Sequence, residues 1–205
     1  VISGGQSNSM KGPYAVIAGG ESNNAVGDHS VIGGGQLNIV SNSDATVGGG
    51  RRNGAHGAFS TIAGGIDNVI NFLGTNSTIG GGALNKIFSI NAVVGGGYRN
   101  IAQGGYSTVG GGWQNKATQE LSFVGGGKHN VAEAYAAVVV GGEGNRASGR
   151  ASFVGGGGLL GSPNQALSTA SAVTGGKDNV ANGSYSFVGG GYHNHVSSSS
   201  ASVVD

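Results

Sequence analysis

Several short stretches of this chain carry residue types at spacings that chemistry could use. Gly156-Gly157-Gly158-Leu159-Leu160-Gly161 fits G-x-G-x-x-G, the spacing that lets a backbone approach a pyrophosphate at the start of a helix. Asp67 and Asp178 each follow a Gly-Gly-x step, as in calcium-binding nonapeptide turns. His193 and His195 are two residues apart, which on a strand puts two imidazoles on one face, a start for a metal site. Tyr98, Trp113 and Tyr192 offer flat rings to a glycan, and Asn76 and Asn182 open Asn-x-Ser/Thr glycosylation acceptors.

Each of these readings needs a supporting element, and the elements are governed by a repeat. The run Gly-Gly-x-x-Asn recurs with its asparagines at 8, 23, 38, 53, 68, 85, 100, 115, 130, 145, 164, 179 and 194. The step is fifteen residues except at two places, where it is 17 and 19. A period that short is one coil of a solenoid rather than a domain. It leaves no helix behind the glycine run and does not match the nine-residue calcium period. No third ligand joins His193 and His195, and no carboxylate pair, catalytic dyad or phosphate loop recurs at a fixed phase. The expectation is therefore no catalytic, cofactor-binding or metal-binding residue, and no enzyme.

Composition agrees with a solenoid. Glycine supplies 46 of 205 residues and charged residues only 9%, against about 7% and about 25% in average proteins. A net charge of +1 with scattered Lys and Arg gives no electrostatic footprint for nucleic acid. No apolar run approaches the roughly 20 residues of a membrane span. Cysteine is absent.

Numbering each rung so that the asparagine is position 10 exposes its construction. Position 4 reads Ile17, Ile32, Val47, Ile62, Ile79, Val94, Val109 and Val124, and continues β-branched to Val188. Position 2 is only Ser or Ala, and position 12 is small or aliphatic. Restricted positions alternating with variable ones mark strands, so each rung predicts two strands of about five residues. The diglycine at positions 6 and 7 makes one turn, and the second lies near position 14. Asn38, Asn53, Asn100, Asn115 and Asn130 stand for a buried ladder whose amides bond one another up the column or bond the turn backbone.

The architecture expected is an all-β parallel β-solenoid, a β-roll of about 13 fifteen-residue rungs with two short strands each. It forms a single domain over 1–205, with insertions near 71–74, 158–163 and 197–200. The small inward residues make a thin core, and oligomerisation is the natural remedy. Position 3 supports that: Val16, Val31, Val93, Phe123, Val138, Phe153 and Phe187 point outward, and no charge stands at this position in twelve rungs. An apolar stripe of that length predicts a subunit interface. The chain starts and stops mid-rung with no polar cap, which predicts head-to-tail stacking or a segment of something longer.

The string Ser107-Thr108-Val109-Gly110-Gly111-Gly112-Trp113-Gln114-Asn115-Lys116-Ala117, echoed at Ser152-Phe153-Val154-Gly155 and Ser186-Phe187-Val188-Gly189, resembles the head repeats of YadA-like trimeric autotransporter adhesins. The resemblance covers essentially the whole chain. It implies a left-handed parallel β-roll, a homotrimer, and display on a bacterial surface, where the partner is a host-surface protein or glycan. The chain departs from that pattern in its fifteen-residue rung, its Asn in place of a second small residue, and its lack of neck, stalk or anchor. The function expected is a non-enzymatic extracellular structural or adhesive rod of an adhesin or filament, with no cofactor. The alternatives are a phage or virion fibre segment and an ice-binding solenoid, the last suggested by Thr46, Thr61, Thr78 and Thr108 at position 3.

Overall fold

A computed structural model of the chain describes residues 1–204. It is all-β, with two parallel sheets of thirteen strands forming a β-solenoid of about thirteen turns. One sheet carries positions 11 and 12 and the other positions 3 and 4, and consecutive strands alternate between them. Neighbours stay in register at the repeat step, as in Val31↔Thr46 and Ile32↔Val47. Two compact units divide the chain, Val1–Ala102 and a second from Gln103 onward.

The strands are shorter than the alternation suggests: two residues each, not about five. The cause is a pair of left-handed residues in nearly every rung. Position 9 takes φ near +57° whatever its side chain (Leu37 at 58°, Arg52 at 56°, Asp67 at 57°), and position 1 does the same (Tyr14 at 58°, Phe59 at 54°, Leu121 at 59°). Such a conformation costs an L-residue roughly 1–2 kcal/mol. The flipped amide recovers part of that by reversing direction. Strand N–H groups donate to the next rung, as Thr46 does to Ser60 O at 2.8 Å, but Arg52 N donates back to Gln36 O at 2.9 Å and Asp44 N back to Asp28 O at 2.9 Å. Each reversal ends a strand. Beyond the diglycine a third column of parallel bridges runs through position 8, such as Gln36↔Arg51.

Inside, Ile17, Ile32, Val47, Ile62, Ile79, Val94, Val109 and Val124 are fully buried, with Ala or a branched aliphatic facing them from position 12. Positions 2 and 12 covary. In most rungs serine follows alanine (Ala55 with Ser60, Ala117 with Ser122) and alanine follows a larger residue (Val40 with Ala45, Ile87 with Ala92); Ile70 with Ser77 and Ala132 with Ala137 are the exceptions. In several rungs the serine hydroxyl donates to the turn carbonyl three residues back, Ser60 to Gly57 O at 2.6 Å and Ser122 to Gln119 O at 2.5 Å, whereas the hydroxyls of Ser30, Ser152 and Ser186 are buried without a partner.

The asparagines are buried too, and they bond chiefly to backbone. Asn38 Nδ2 donates to Gly34 O of its own rung and to Gly50 O of the next, both at 2.9 Å, while its Oδ1 accepts from Asn53 N at 3.0 Å. The set repeats at Asn130 and Asn145. Amide-to-amide bonds are secondary; Asn53 Nδ2 to Asn38 Oδ1 at 3.2 Å is one of them. The clamp survives insertion: Asn164 still donates to Gly156 O at 2.8 Å with six residues looped out between Gly157 and itself. The residues near 71–74 are absorbed in the other turn. The Ser197–Ser200 run holds no extra residue, because Phe187↔Ser202 keeps the fifteen-residue step. A monotonous serine run had concealed the phase.

The two glycines of the turn are not equivalent. At position 7, Gly50 has φ +86°, and a Cβ there would collide with Gly65 O and stand 2.8 Å from Asn53 Nδ2. At position 6, Gly49 faces open space. Gly50→Ala is expected to cost at least about 2 kcal/mol and Gly49→Ala less than about 0.5 kcal/mol, as measured by chemical denaturation. Equal costs would contradict the steric account.

Candidate functional site

The outer surfaces of the two sheets differ. On the position-3 sheet, Val16, Val31, Val93, Phe123 and Phe187 are 36–40% exposed, and Val138 and Phe153 are half-buried. In the second unit each Phe ring leans over the glycine two residues on: a Cβ added to Gly125, Gly155 or Gly189 would meet the Cε1 of Phe123, Phe153 or Phe187 at 3.3–3.4 Å. Where position 3 is Val138, position 5 is Val140. In the first unit Thr46, Thr61 and Thr78 stand side by side in register on the same face.

Charges stand mainly at positions 8, 9 and 11 and in the turn that follows, and several are paired with a neighbour one rung away. Arg52 makes a bidentate pair with Asp67, Nε to Oδ1 and Nη2 to Oδ2, both at 2.6 Å. That holds the Asp67 carboxyl below the usual range by hydrogen bonding and raises the arginine in turn. Lys128 meets Glu143 at 3.0 Å, Arg146 meets Glu133 at 2.6 Å, and His193 Nδ1 lies 2.8 Å from Asp178 Oδ2. Lys128 and Lys177 also lie over the rings of Trp113 and Tyr192.

These contacts locate the sequence candidates. Asp67 and Asp178, the two acids of the calcium-like turns, are each held by a basic side chain. His193 faces Asp178, and no group of three or more potential ligands gathers among the described residues. The Gly156–Gly161 run is a loop closed by a Leu159↔Ser162 bridge, with a strand, Gln165–Ala166, after it. Leu159 and Leu160 are 50% and 65% exposed.

A site that the sequence reading missed lies in the first unit, on the charged sheet. Gly54 is the one glycine at position 11, between Ile39 and Val69 in adjacent strands. An open groove of about 330 Å³ beside it is lined by Leu37, Ile39, Arg52, Asn53, Gly54, His56 and Val69. His56 leans into it, so that a Cβ on Gly54 would stand 2.6 Å from Nε2. Ser41 Oγ lies 2.8 Å from His56 Nδ1, and Phe72, from the insertion, stacks on the imidazole at 5.1 Å. No carboxylate bonds His56 among the described residues, so Ser41 and His56 do not make a triad. The columns carried a signal for this site: the glycine gap, the histidine and the two-residue insertion fall in adjacent rungs.

No protein-family model matches the chain, and no curated protein matches it either.

Burial lowers the His56 pKa from 6.5, because the charged imidazolium loses solvation among Ile39, Val69 and Phe72. The unfolded chain then takes up this proton at a higher pH than the folded one. Stability contributed by His56 is complete above pH 6.5, falls as pH drops below that value, and levels off below the folded pKa. Denaturation midpoints at pH 7.5 and pH 5 should fall further for the wild type than for His56→Gln; parallel losses would contradict the assignment.

Proposed function

We propose that this chain is a non-enzymatic structural and adhesive module working outside a bacterial cell, assembled with copies of itself as a homotrimer. The observation that carries the proposal is the position-3 face. Twelve of the thirteen strands of that sheet present Val, Thr, Phe or Ala there, with small residues dominating position 5 and a glycine at position 6, and the last presents Ser202. Uncharged and parallel-stranded, it is the surface that a soluble protein covers. The charges gather instead at positions 8, 9 and 11, which marks that side as the one that meets water.

The same facts speak against other roles. A net charge of +1, with the basic side chains scattered along the chain, gives no concentrated positive face for a polyanion. No helix among the described residues is long and apolar enough to cross a membrane. The resemblance to YadA-like heads supports surface display and the trimer, and a head-to-tail filament is the variant in which copies also stack along the solenoid axis. A virion fibre would use the covered face in the same way.

Light scattering over a dilution series tests the assembly. The expected mass is a stable three times 19.8 kDa, falling toward the single-chain value in Phe123→Lys, which puts a charge into the face. Growth without limit would replace the trimer with the filament. A folded monomer at every concentration would contradict self-association.

A further inference from the structure

One of the two turn glycines is not required by the chain that carries it. Position 6 is glycine in all thirteen rungs, while position 8 nearby ranges over Gln, Glu, Arg, Ile, Ala, Tyr, Trp and Lys. A Cβ on Gly141 or Gly175 would meet nothing within 4 Å, and on Gly126 nothing nearer than Gly111 O at 3.9 Å. Gly156 and Gly190 in the same column have φ of 155° and 154°, which favours glycine by itself. Gly126, Gly141 and Gly175 fall outside that range. In three rungs of the second unit, neither a contact nor a dihedral excludes a side chain, and none is there.

The same corner leaves backbone groups unpaired. Gly126 O turns inward to accept from Asn130 Nδ2, and Gly141 O from Asn145 Nδ2, both at 2.8 Å. The N–H of a trans peptide lies antiparallel to its C=O, so the N–H groups of Gly127 and Gly142 point outward, away from the asparagines. Among the described residues no backbone carbonyl accepts from these two, and no backbone N–H reaches the carbonyls of Gly125 and Val140. Those carbonyls lie on the outer side, since a Cβ on Gly125 would run into Val140 O. Each of these rungs therefore offers a donor at position 7 and an acceptor at position 5, repeated at the strand spacing of about 4.8 Å.

We propose that this corner is a backbone seam with a second copy of the chain. The outward N–H of position 7 in one copy donates to the carbonyl of position 5 in its neighbour, and position 6 is glycine because the neighbour's main chain lies against its Cα. A second copy carries the same groups at the same pitch, so one pair in place aligns those in the rungs beside it. The corner continues the position-3 face, and covering that face removes water from the corner as well. An N–H buried there without a partner would cost about 1–3 kcal/mol, and the seam supplies the partner. Water satisfies the N–H of a free chain but gives no reason for a missing side chain. An extended peptide repeats its groups every 3.2–3.4 Å along its length, out of step with the rungs. An extended anion would suit the donors but not the carbonyls, and Lys128, Glu143 and Lys177 at position 8 present both signs of charge.

This deepens the self-association proposed above and rests on it. The first measurement is hydrogen exchange by NMR on the assembled wild type. The N–H groups of Gly127 and Gly142 should be protected as strongly as that of Val131, which donates to Asn145 O within its sheet. In Phe123→Lys, expected as the single chain, those two should exchange at least about a hundredfold faster while Val131 stays protected. The second is light scattering on the triple variant Gly126→Ala, Gly141→Ala, Gly175→Ala. Its circular dichroism should match the wild type, and its half-dissociation concentration should rise at least about tenfold. Lys116→Ala with Gln165→Ala, on the outer face of the other sheet, should leave assembly unchanged. An assembled wild type in which Gly127 and Gly142 exchange freely, or a triple variant that assembles equally well, would overturn the seam and leave self-association standing. A triple variant that does not fold would place the glycine requirement within the chain and overturn it too. A wild type that is a single chain at every concentration would overturn both.

Discussion

Every rung of this protein is held by the amide of one asparagine. Its two N–H bonds clamp the diglycine turn of its own rung to that of the next, and its carbonyl takes the backbone N–H of the next asparagine. An amide buried with all three bonds made is a strong constraint, because any change that removes one leaves a group unpaired at about 1–3 kcal/mol. The clamp also explains why position 7 must be glycine. The amide lies where that residue's Cβ would be, and the backbone of the next rung lies against it.

With the turn fixed in this way, the interior need only be filled. Val or Ile from one sheet and Ala, Val or Ile from the other suffice, and the serine hydroxyl is admitted where alanine leaves room. Two left-handed residues per rung keep the strands to two residues and add a ladder that runs backward through the turns. Stability is distributed over many identical small bonds rather than one large core. Outward positions are therefore free to vary, and whatever distinguishes this chain is written there: an uncharged face, a charged face, and the cluster around Gly54 and His56.

Much of the fold was legible in the sequence because the inward positions are few and strict. The β-branched residues from Ile17 to Val188 and the recurring asparagines disclosed the period, the sheets and the inward face. The left-handed positions were not legible, since Leu37, Arg52, Tyr14 and Phe59 are poor advertisements for positive φ. Strand length followed from them and was missed with them. The bonding of the asparagines was half legible: burial and polarity demanded partners, but only the geometry chose backbone over neighbouring amides. The cluster around Gly54 and His56 was hidden because its parts lie 15 or 16 residues apart. Arg52 and Asp67, or His56 and Phe72, become neighbours only when the chain is wound.

The most direct test of this account is hydrogen exchange at asparagine side chains, followed by NMR on the intact protein. If the clamp holds the rungs, the Nδ2 protons of Asn38, Asn53, Asn130 and Asn145 will exchange as slowly as the backbone amides of the adjoining strands. The exposed Asn76 and Asn182 provide the fast reference within the same sample. Interior side-chain amides exchanging at the rate of those two would contradict it, and would place the constraint on the rung elsewhere.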